Sequence, residues 1–195
     1  MAEQLKFGIV AKQDNARAYL IPKKATGVTY DTKTGLVTVE NSTDVAKYKL
    51  TTLTNIPGVG GAPEKIDNTY LSDPAKKSVE GLSDYGDITL EVGVTDTEAA
   101  RLSTFKANQA EVYLCVAVRD AKKNQVFGLS VLTKVTDFKL SDITVNSLIS
   151  ASITLSMQGE ISNEFLDPDK ETVTEAYTAA ITAAKAEIAT TEAGE

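Results

Sequence analysis

At 195 residues, the chain is the size of one domain, or of one domain with an appendage. Its 20 Lys and Arg against 27 Asp and Glu leave a net charge of −7, and 42% of its residues are hydrophobic, enough to exclude wholesale disorder. Histidine is absent, which removes His-based metal sites and every Ser-His or Cys-His triad, and the single Cys115 excludes an internal disulfide.

The charge is not spread evenly. Residues 1–159 balance 18 basic against 18 acidic side chains, whereas residues 160–195 set Lys170 and Lys185 against nine acids. A neutral body with an acidic tail lacks the positive surplus that tight phosphate binding needs. The longest apolar run, Val112 to Val118, is far short of the roughly 18 residues of a membrane helix. The segment Met1–Lys6 lacks a basic stretch followed by an apolar one, so a cytoplasmic site of synthesis is expected.

In chain order, Leu5–Val10 predicts a short strand. Val28–Tyr30 and Leu36–Val39 flank the Gly-containing stretch Asp31–Gly35 and predict a hairpin. Tyr48–Thr54 predicts a further strand. Ile56–Pro63 holds three glycines and two prolines and predicts the one long loop of the body. Its glycines do not make a phosphate loop, since no Gly-Lys-Ser/Thr follows. In Asp87–Val94, Ile88, Leu90, Val92 and Val94 alternate with polar or small residues, the period of a strand with one buried face.

Glu98–Lys106 predicts a short helix capped by Asp96 or Thr97, with Ala99, Leu102 and Phe105 on one face. Glu111–Arg119, the turn Asp120–Asn124 and Gln125–Leu132 predict a hairpin, and Val135–Leu140 continues after a bulge. The longest alternation runs from Ile149 to Ile161, with Ser150, Ser152, Thr154, Ser156 and Gln158 on the polar side. Beyond Asp167-Pro-Asp169, Glu171–Ala189 is rich in Ala, Thr and Glu and predicts a helix. The 24 threonines favour β-structure throughout.

Catalytic signals are weak. The acid pairs Asp84/Asp87 and Asp167/Asp169 suit Ca²⁺ or acid/base work but sit where turn acids are common. Cys115 falls on the polar side of its strand pattern and reads as a small, semi-buried residue with no activating base. The pairs Lys23-Lys24, Lys76-Lys77 and Lys122-Lys123 read as solvated turns rather than a nucleic-acid patch. The face from Ser150 to Gln158 is unusual in having no Lys or Arg. An exposed sheet normally presents such charges to water, so this face is expected to meet a neighbouring subunit or a channel.

The stretch Thr69-Tyr-Leu-Ser-Asp73, then Gly81-Leu82 and Asp84-Tyr-Gly-Asp-Ile-Thr-Leu-Glu-Val92, resembles the major tail proteins, or tail tube proteins, of long-tailed bacteriophages. The closing stretch, Thr136-Asp-Phe-Lys-Leu140 followed by Ala151-Ser-Ile-Thr-Leu-Ser-Met-Gln-Gly-Glu160, is similar too. Together the similar segments span about residues 65–165.

The resemblance implies a mainly β fold, a β-sandwich or partly closed barrel with one short helix between strands, here with a C-terminal helical tail. The similar body is expected to span 1–165; composition and charge mark 166–195 as an acidic helical extension, where the sequence departs from the family and the resemblance assigns no role. It implies a structural virion protein, not an enzyme and without cofactor, that self-assembles into stacked hexameric rings. The rings form the tube through which DNA leaves the particle, without sequence-specific binding and without contact to a membrane. Tape measure and tail-tip or terminator proteins are the implied partners. The virion tail is the implied location, with assembly in the host cytoplasm.

On that basis Thr89, Glu91, Ser152, Thr154, Ser156 and Gln158 are expected to face the channel. Ile56, Pro57, Gly58, Val59, Gly60, Gly61, Ala62 and Pro63 are expected to bridge rings. Val173, Tyr177 and Ile181 are expected to dock the tail on the outside of the tube or across a subunit boundary. The competing reading is a β-sandwich binding module of a virion surface or adhesin, against which the helix at Glu98–Lys106 counts. A small β-barrel enzyme or carrier is disfavoured by the missing histidines.

Overall fold

The computed structural model describes residues 16–40, 45–50, 53–55, 58, 65–67, 78–80, 86–93, 95–120, 124–141, 150–168 and 175–192. Eleven strands are defined among them: β1 (Ala16–Pro22), β2 (Val28–Tyr30), β3 (Val37–Val39), β4 (Lys49–Leu50), β5 (Leu53–Asn55), β6 (Lys65–Asp67), β7 (Ser78–Glu80), β8 (Asp87–Gly93), β9 (Glu111–Arg119), β10 (Gln125–Leu140) and β11 (Ser150–Ser162). Two helices join them, α1 (Asp96–Ala107) and α2 (Glu175–Glu192).

Seven strands form one antiparallel sheet in the order β4-β1-β9-β10-β11-β8-β5, while β2-β3 and β6-β7 are separate two-stranded pairs. The sheet order dictates its curvature. β4 and β5 lie on opposite edges, yet only residues 51 and 52 separate Leu50 from Leu53. Three virtual bonds span at most about 11 Å. Seven flat strands would hold their edges roughly 29 Å apart at the usual spacing. The sheet must therefore curl until its edges nearly meet, a partly closed barrel. The sequence predicted a single strand over Tyr48–Thr54. An extended pattern does not record which edge each half pairs with, and here the two halves divide between the edges.

The inside of the curl is the main core. It gathers Ala18 and Leu20 of β1, Leu90 and Val92 of β8, Val112, Leu114 and Val116 of β9, Val131 and Val135 of β10, and Ile153 and Leu155 of β11. Helix α1 adds fully buried Leu102, with Phe105 packed alongside. Its cap is Thr95, which corrects the expectation of Asp96 or Thr97. The Thr95 hydroxyl accepts from the Glu98 N–H at 3.4 Å, the N-cap bond, and donates to the Glu98 carboxylate at 3.0 Å. Asp96 and Thr97 are one and two residues too late for that reach. On the far side of α1, the Arg101 guanidinium donates to the carbonyls of Lys47 and Lys49, tying the edge strand β4 to the helix.

A second cluster lies on the outer face of β1, β9 and the first half of β10: Tyr19, Ile21, Tyr113, Cys115, Ala117 and Leu132, together with Val37 and Phe165. Two covers seal it. One is the β2-β3 hairpin, whose turn is set by Asp31 accepting from the Lys33 N–H and the Thr34 hydroxyl. Gly35 follows at φ +69°, in the left-handed region, where a side chain would also collide with the Glu160 carbonyl. The other cover is the segment Asn163–Pro168, which follows β11. Cys115 is thus wholly buried rather than semi-buried, because the face that its alternation marks as outward is roofed by the chain itself.

Strand β1 has no counterpart in the sequence reading, since both of its faces are covered and its apolar residues do not alternate. The strand expected at Leu5–Val10 lies outside the described residues. β10 is one strand of 16 residues, with register shifts between Val131 and Thr133 and between Val135 and Asp137, the expected bulge region. β11 matches the predicted alternation to within a residue, buried and half-buried positions alternating from Ser150 to Ser156.

Candidate functional site

The remaining outer face of the sheet, over β8, β11 and the second half of β10, has no cover among the described residues. Its rows follow from the register. Thr154 of β11 lies between Thr89 of β8 and Asp137 of β10; Ser152 lies between Glu91 and Lys139; Ser156 lies between Asp87 and Lys134. Cross-strand partners share a face, so these side chains form one continuous polar surface. Inward neighbours Ile88, Leu90, Ile153 and Leu155 are buried, which fixes the outward set.

Hydroxyls dominate the surface and bond to one another. Thr89 Oγ1 and Thr154 Oγ1 are 3.4 Å apart; Ser150 Oγ donates to Ser141 Oγ at 2.8 Å; Thr136 Oγ1 donates to the Thr154 carbonyl at 3.1 Å. Gln158 Nε2 reaches Ser156 Oγ at 3.4 Å. Thr89, Glu91, Ser152, Thr154 and Ser156 are therefore brought together, and Gln158 extends the same line. β11 itself bears no basic residue, but its neighbour β10 adds Lys134 and Lys139. Cross-strand register is not visible in a one-dimensional pattern, and this is why those lysines escaped the sequence reading. Against them stand Asp87, Glu91 and Asp137, so the surface is close to neutral with a slight acidic excess. Lys106 of α1 further holds Asp137 at 2.9 Å, and that hydrogen bond keeps the Asp137 carboxyl below the usual carboxylate range.

The candidate acids behave differently from a reactive pair. Asp87 is exposed on β8, and Asp84 and Asp169 lie outside the described residues. Asp167 is almost fully buried and engaged: Tyr19 donates to it at 3.0 Å, the Arg17 guanidinium lies at 3.4 Å and Arg119 Nε at 3.9 Å. Its N–H donates to Gln125 Oε1 at 2.8 Å, while Gln125 Nε2 donates to the Phe165 carbonyl at 2.7 Å. Burial, reinforced by the adjacent Asp167 carboxylate, pushes the Tyr19 phenol up, and burial alone pushes the Cys115 thiol up. Cys115 is accordingly a packed thiol rather than a nucleophile. The described residues contain no group of three acids or thiols placed to hold a metal ion. No described helix is long and apolar enough to cross a membrane.

Of the loop Ile56–Pro63 only Gly58 is described, and it is exposed with open space around its Cα. In the tail, Tyr177 and Ile181 are half-buried, and Val173 lies outside the described residues. The Tyr177 hydroxyl donates to the Asn163 carbonyl at 3.4 Å and Lys185 pairs with Glu164 at 2.6 Å, so α2 rests on the segment that covers the second core. Burial pushes the Tyr177 phenol up. Of the basic pairs, Lys23-Lys24 is exposed, and Lys23 is bound to Glu111 at 2.6 Å; the other two lie outside the described residues.

The sequence family described as "Phage tail tube, TTP, lambda-like" matches residues 28–165, from β2 to Phe165. No curated protein sequence matches the chain. Among solved structures, the anti-feeding prophage (AFP) baseplate, six-fold symmetrised, superposes with a TM-score of 0.56 at 9% identity, over 84% of this chain and 98% of that one. The sheath/tube terminator of the extracellular contractile injection system PVC in its extended state gives 0.55 at 13%, over 82% and 97%. The PVC sheath-tube complex gives 0.50 at 13%, over 82% and 94%. At such identities these likenesses concern the fold.

Proposed function

This chain belongs to the lambda-like family of phage tail tube proteins, and from that premise we propose how its surface serves a structural protein of the virion tail. Copies of the chain self-associate into hexameric rings, and the rings stack into the tube that conducts the genome out of the particle. The observation that carries this reading is the uncovered half of the sheet. Thr89, Glu91, Ser152, Thr154, Ser156 and Gln158 line the channel, joined by Lys134, Asp137 and Lys139. Structures of the same fold in a six-fold symmetrised baseplate and in a sheath-tube complex favour the ring.

The chemistry suits passage rather than capture. Each phosphate neutralised by a lysine releases counterions and adds affinity, so a basic wall would hold DNA in place. Here the two lysines per subunit are matched by neighbouring carboxylates, and the hydroxyls between them offer weak, interchangeable hydrogen bonds. No step of bond making or breaking is assigned to any residue.

The loop Ile56–Pro63 bridges stacked rings, its glycines leaving the backbone free to adjust to the next subunit. The body, 1–165, is followed by an extension, 166–195, which is anchored near its start by Asp167 and contains α2. Tape measure and tail-tip or terminator proteins are the further partners, and assembly takes place in the host cytoplasm. Electron microscopy of the purified chain at increasing concentration, with and without a tail-tip initiator complex, tests the reading. Hollow six-fold rings or tubes are expected. A chain that stays monomeric under both conditions would sink the assembly assignment.

A further inference from the structure

Between β3 and the segment Glu164–Pro168 runs an apolar groove of about 260 Å³, floored by Val37, Val39, Leu166 and Pro168 and rimmed by Glu40 and Glu164. One wall is a strand edge. β3 pairs only with β2 in its two-stranded sheet, and in that ladder Asp31 N–H bonds to the Leu36 carbonyl and Glu40 N–H to the Gly27 carbonyl. Hydrogen-bonded positions alternate along an antiparallel ladder. The peptide groups of Val37 and Val39 therefore point away from β2. The Val37 N–H is taken by Ser130 Oγ at 3.2 Å, which leaves the Val39 N–H and C=O directed out along the edge. Leu166 is 41% exposed beside them.

We propose that this edge takes a third strand, and that its occupant is the chain's own segment Leu5–Val10. Three observations select that occupant. Its sequence, Leu5-Lys-Phe-Gly-Ile-Val10, alternates apolar residues with Lys6, and Lys12 follows without an intervening acid, a match to a groove with an apolar floor and the rim carboxylate of Glu40, Glu164 being paired with Lys185. The start of β1 lies beside the groove: Arg17 lies 3.4 Å from Asp167, which lines it. The residues between Val10 and Ala16 span up to roughly 20 Å when extended, enough to turn back along β3. Strand addition of this kind draws its affinity from main-chain hydrogen bonds and its register from alternate side-chain pockets.

Hydrogen exchange of the full chain, held at a concentration where it is monomeric, tests the proposal independently of tube formation. Exchange in the peptide containing Val39 is compared with that of Ile9→Pro, which removes one strand N–H, and of Lys6→Glu/Lys12→Glu, which reverses the charge match. Protection at Val39 in the parent chain, lost by about tenfold or more in both variants while β9 and β11 keep theirs, is the expected result. Equal exchange at Val39 in all three chains would overturn it. Zero-length carboxyl-to-amine cross-linking of mixed light and heavy isotope preparations identifies the occupant. Links from Lys6 or Lys12 to Glu40 or Glu164 within one isotope support the proposal. Mixed-isotope links would overturn it by assigning the groove to a second copy.

Discussion

The outer face of the seven-stranded sheet divides into two halves that obey the same alternation and meet different fates. Over β1, β9 and the start of β10, the outward side chains are Tyr19, Ile21, Tyr113, Cys115 and Ala117, roofed by the β2-β3 hairpin and by Phe165. Over β8, β11 and the end of β10 they are Thr89, Glu91, Ser152, Thr154, Asp137 and Lys139, and no described residue lies over them. The first half spends its chemistry on the subunit's own stability. In the second half side-chain identity has little bearing on the stability of the monomer, so that surface is free to be shaped by what it faces in the assembled tail. The boundary falls within single strands: β10 belongs to the covered half at Leu132 and to the bare half at Lys139.

This contrast is broken most sharply at Asp167, which pins the second cover. Asp167→Asn leaves Arg17 and Arg119 facing an uncharged amide in a buried site, and breaking a buried ion pair costs about 3 kcal/mol or more. Urea denaturation of the monomer measures that loss. Cys115 supplies a second readout, because a thiol buried under the hairpin reacts with a disulfide reagent only when the cover opens. Faster labelling in Asp167→Asn is expected. Unchanged stability and labelling would mean that the cover is held by Phe165 and its neighbours alone.

In the bare half, Ser152→Lys and Thr154→Lys should each change monomer stability by no more than about 0.5 kcal/mol, because these half-buried side chains lie on the uncovered face, where a lysine can extend its charge into water. In the assembled tail, where these residues are proposed to line the channel, the added positive charge is expected to slow DNA passage and lower infectivity. A loss of stability comparable to that of Asp167→Asn would show that the two halves are not distinct. Normal infection by phage carrying both changes would remove these residues from the channel wall.

The smallest effect concerns pH. Glu111, hydrogen-bonded by Lys23, and Asp137, hydrogen-bonded by Lys106, both have folded-state pKa values below their ordinary ones. A depressed carboxyl adds stability above its unfolded value, near 4, and loses it as the pH falls through the folded value. Both pairs are exposed, so the contribution is slight and screened by salt. Lys106→Met should flatten the acid limb of the stability curve below about pH 4 at low ionic strength and leave it unaltered in high salt. An undiminished limb in that variant would assign the acid sensitivity elsewhere.

What the sequence made legible follows from the same division. β8 and β11 were read almost residue by residue because their outward sides are polar, which leaves the period of two intact. β1 was missed because Tyr19 and Ile21 are apolar on the outward side as well, and an all-apolar run has no period. Cys115 was assigned to the right face and the wrong environment, since alternation reports direction and not what lies beyond. Asp167 was noticed as one of a pair of acids, yet its partners Tyr19 and Arg17 lie far away in sequence, and only the fold brings them together. The bare polar face was legible on β8 and β11, and its β10 members were not, because pairing across strands is not written in any one segment.

The crossing from β4 to β5 has a kinetic consequence. Those two short strands close the curl, one against β1 and the other against β8, while β1 itself pairs along its whole length with β9, from Ala16 with Val118 to Pro22 with Val112. During synthesis, β1 and β4 emerge long before the strand that unites them exists. The hairpin of β10 with β11, by contrast, forms from near neighbours. Such long-range pairing slows folding, because the loop must be closed before its contacts contribute. The sheet is therefore expected to assemble from its late strands toward its early ones and to seal at the β4-β5 crossing last. Until then the apolar side of β1 stands open, and a cell making many tail subunits at once holds them longest in that unsealed form.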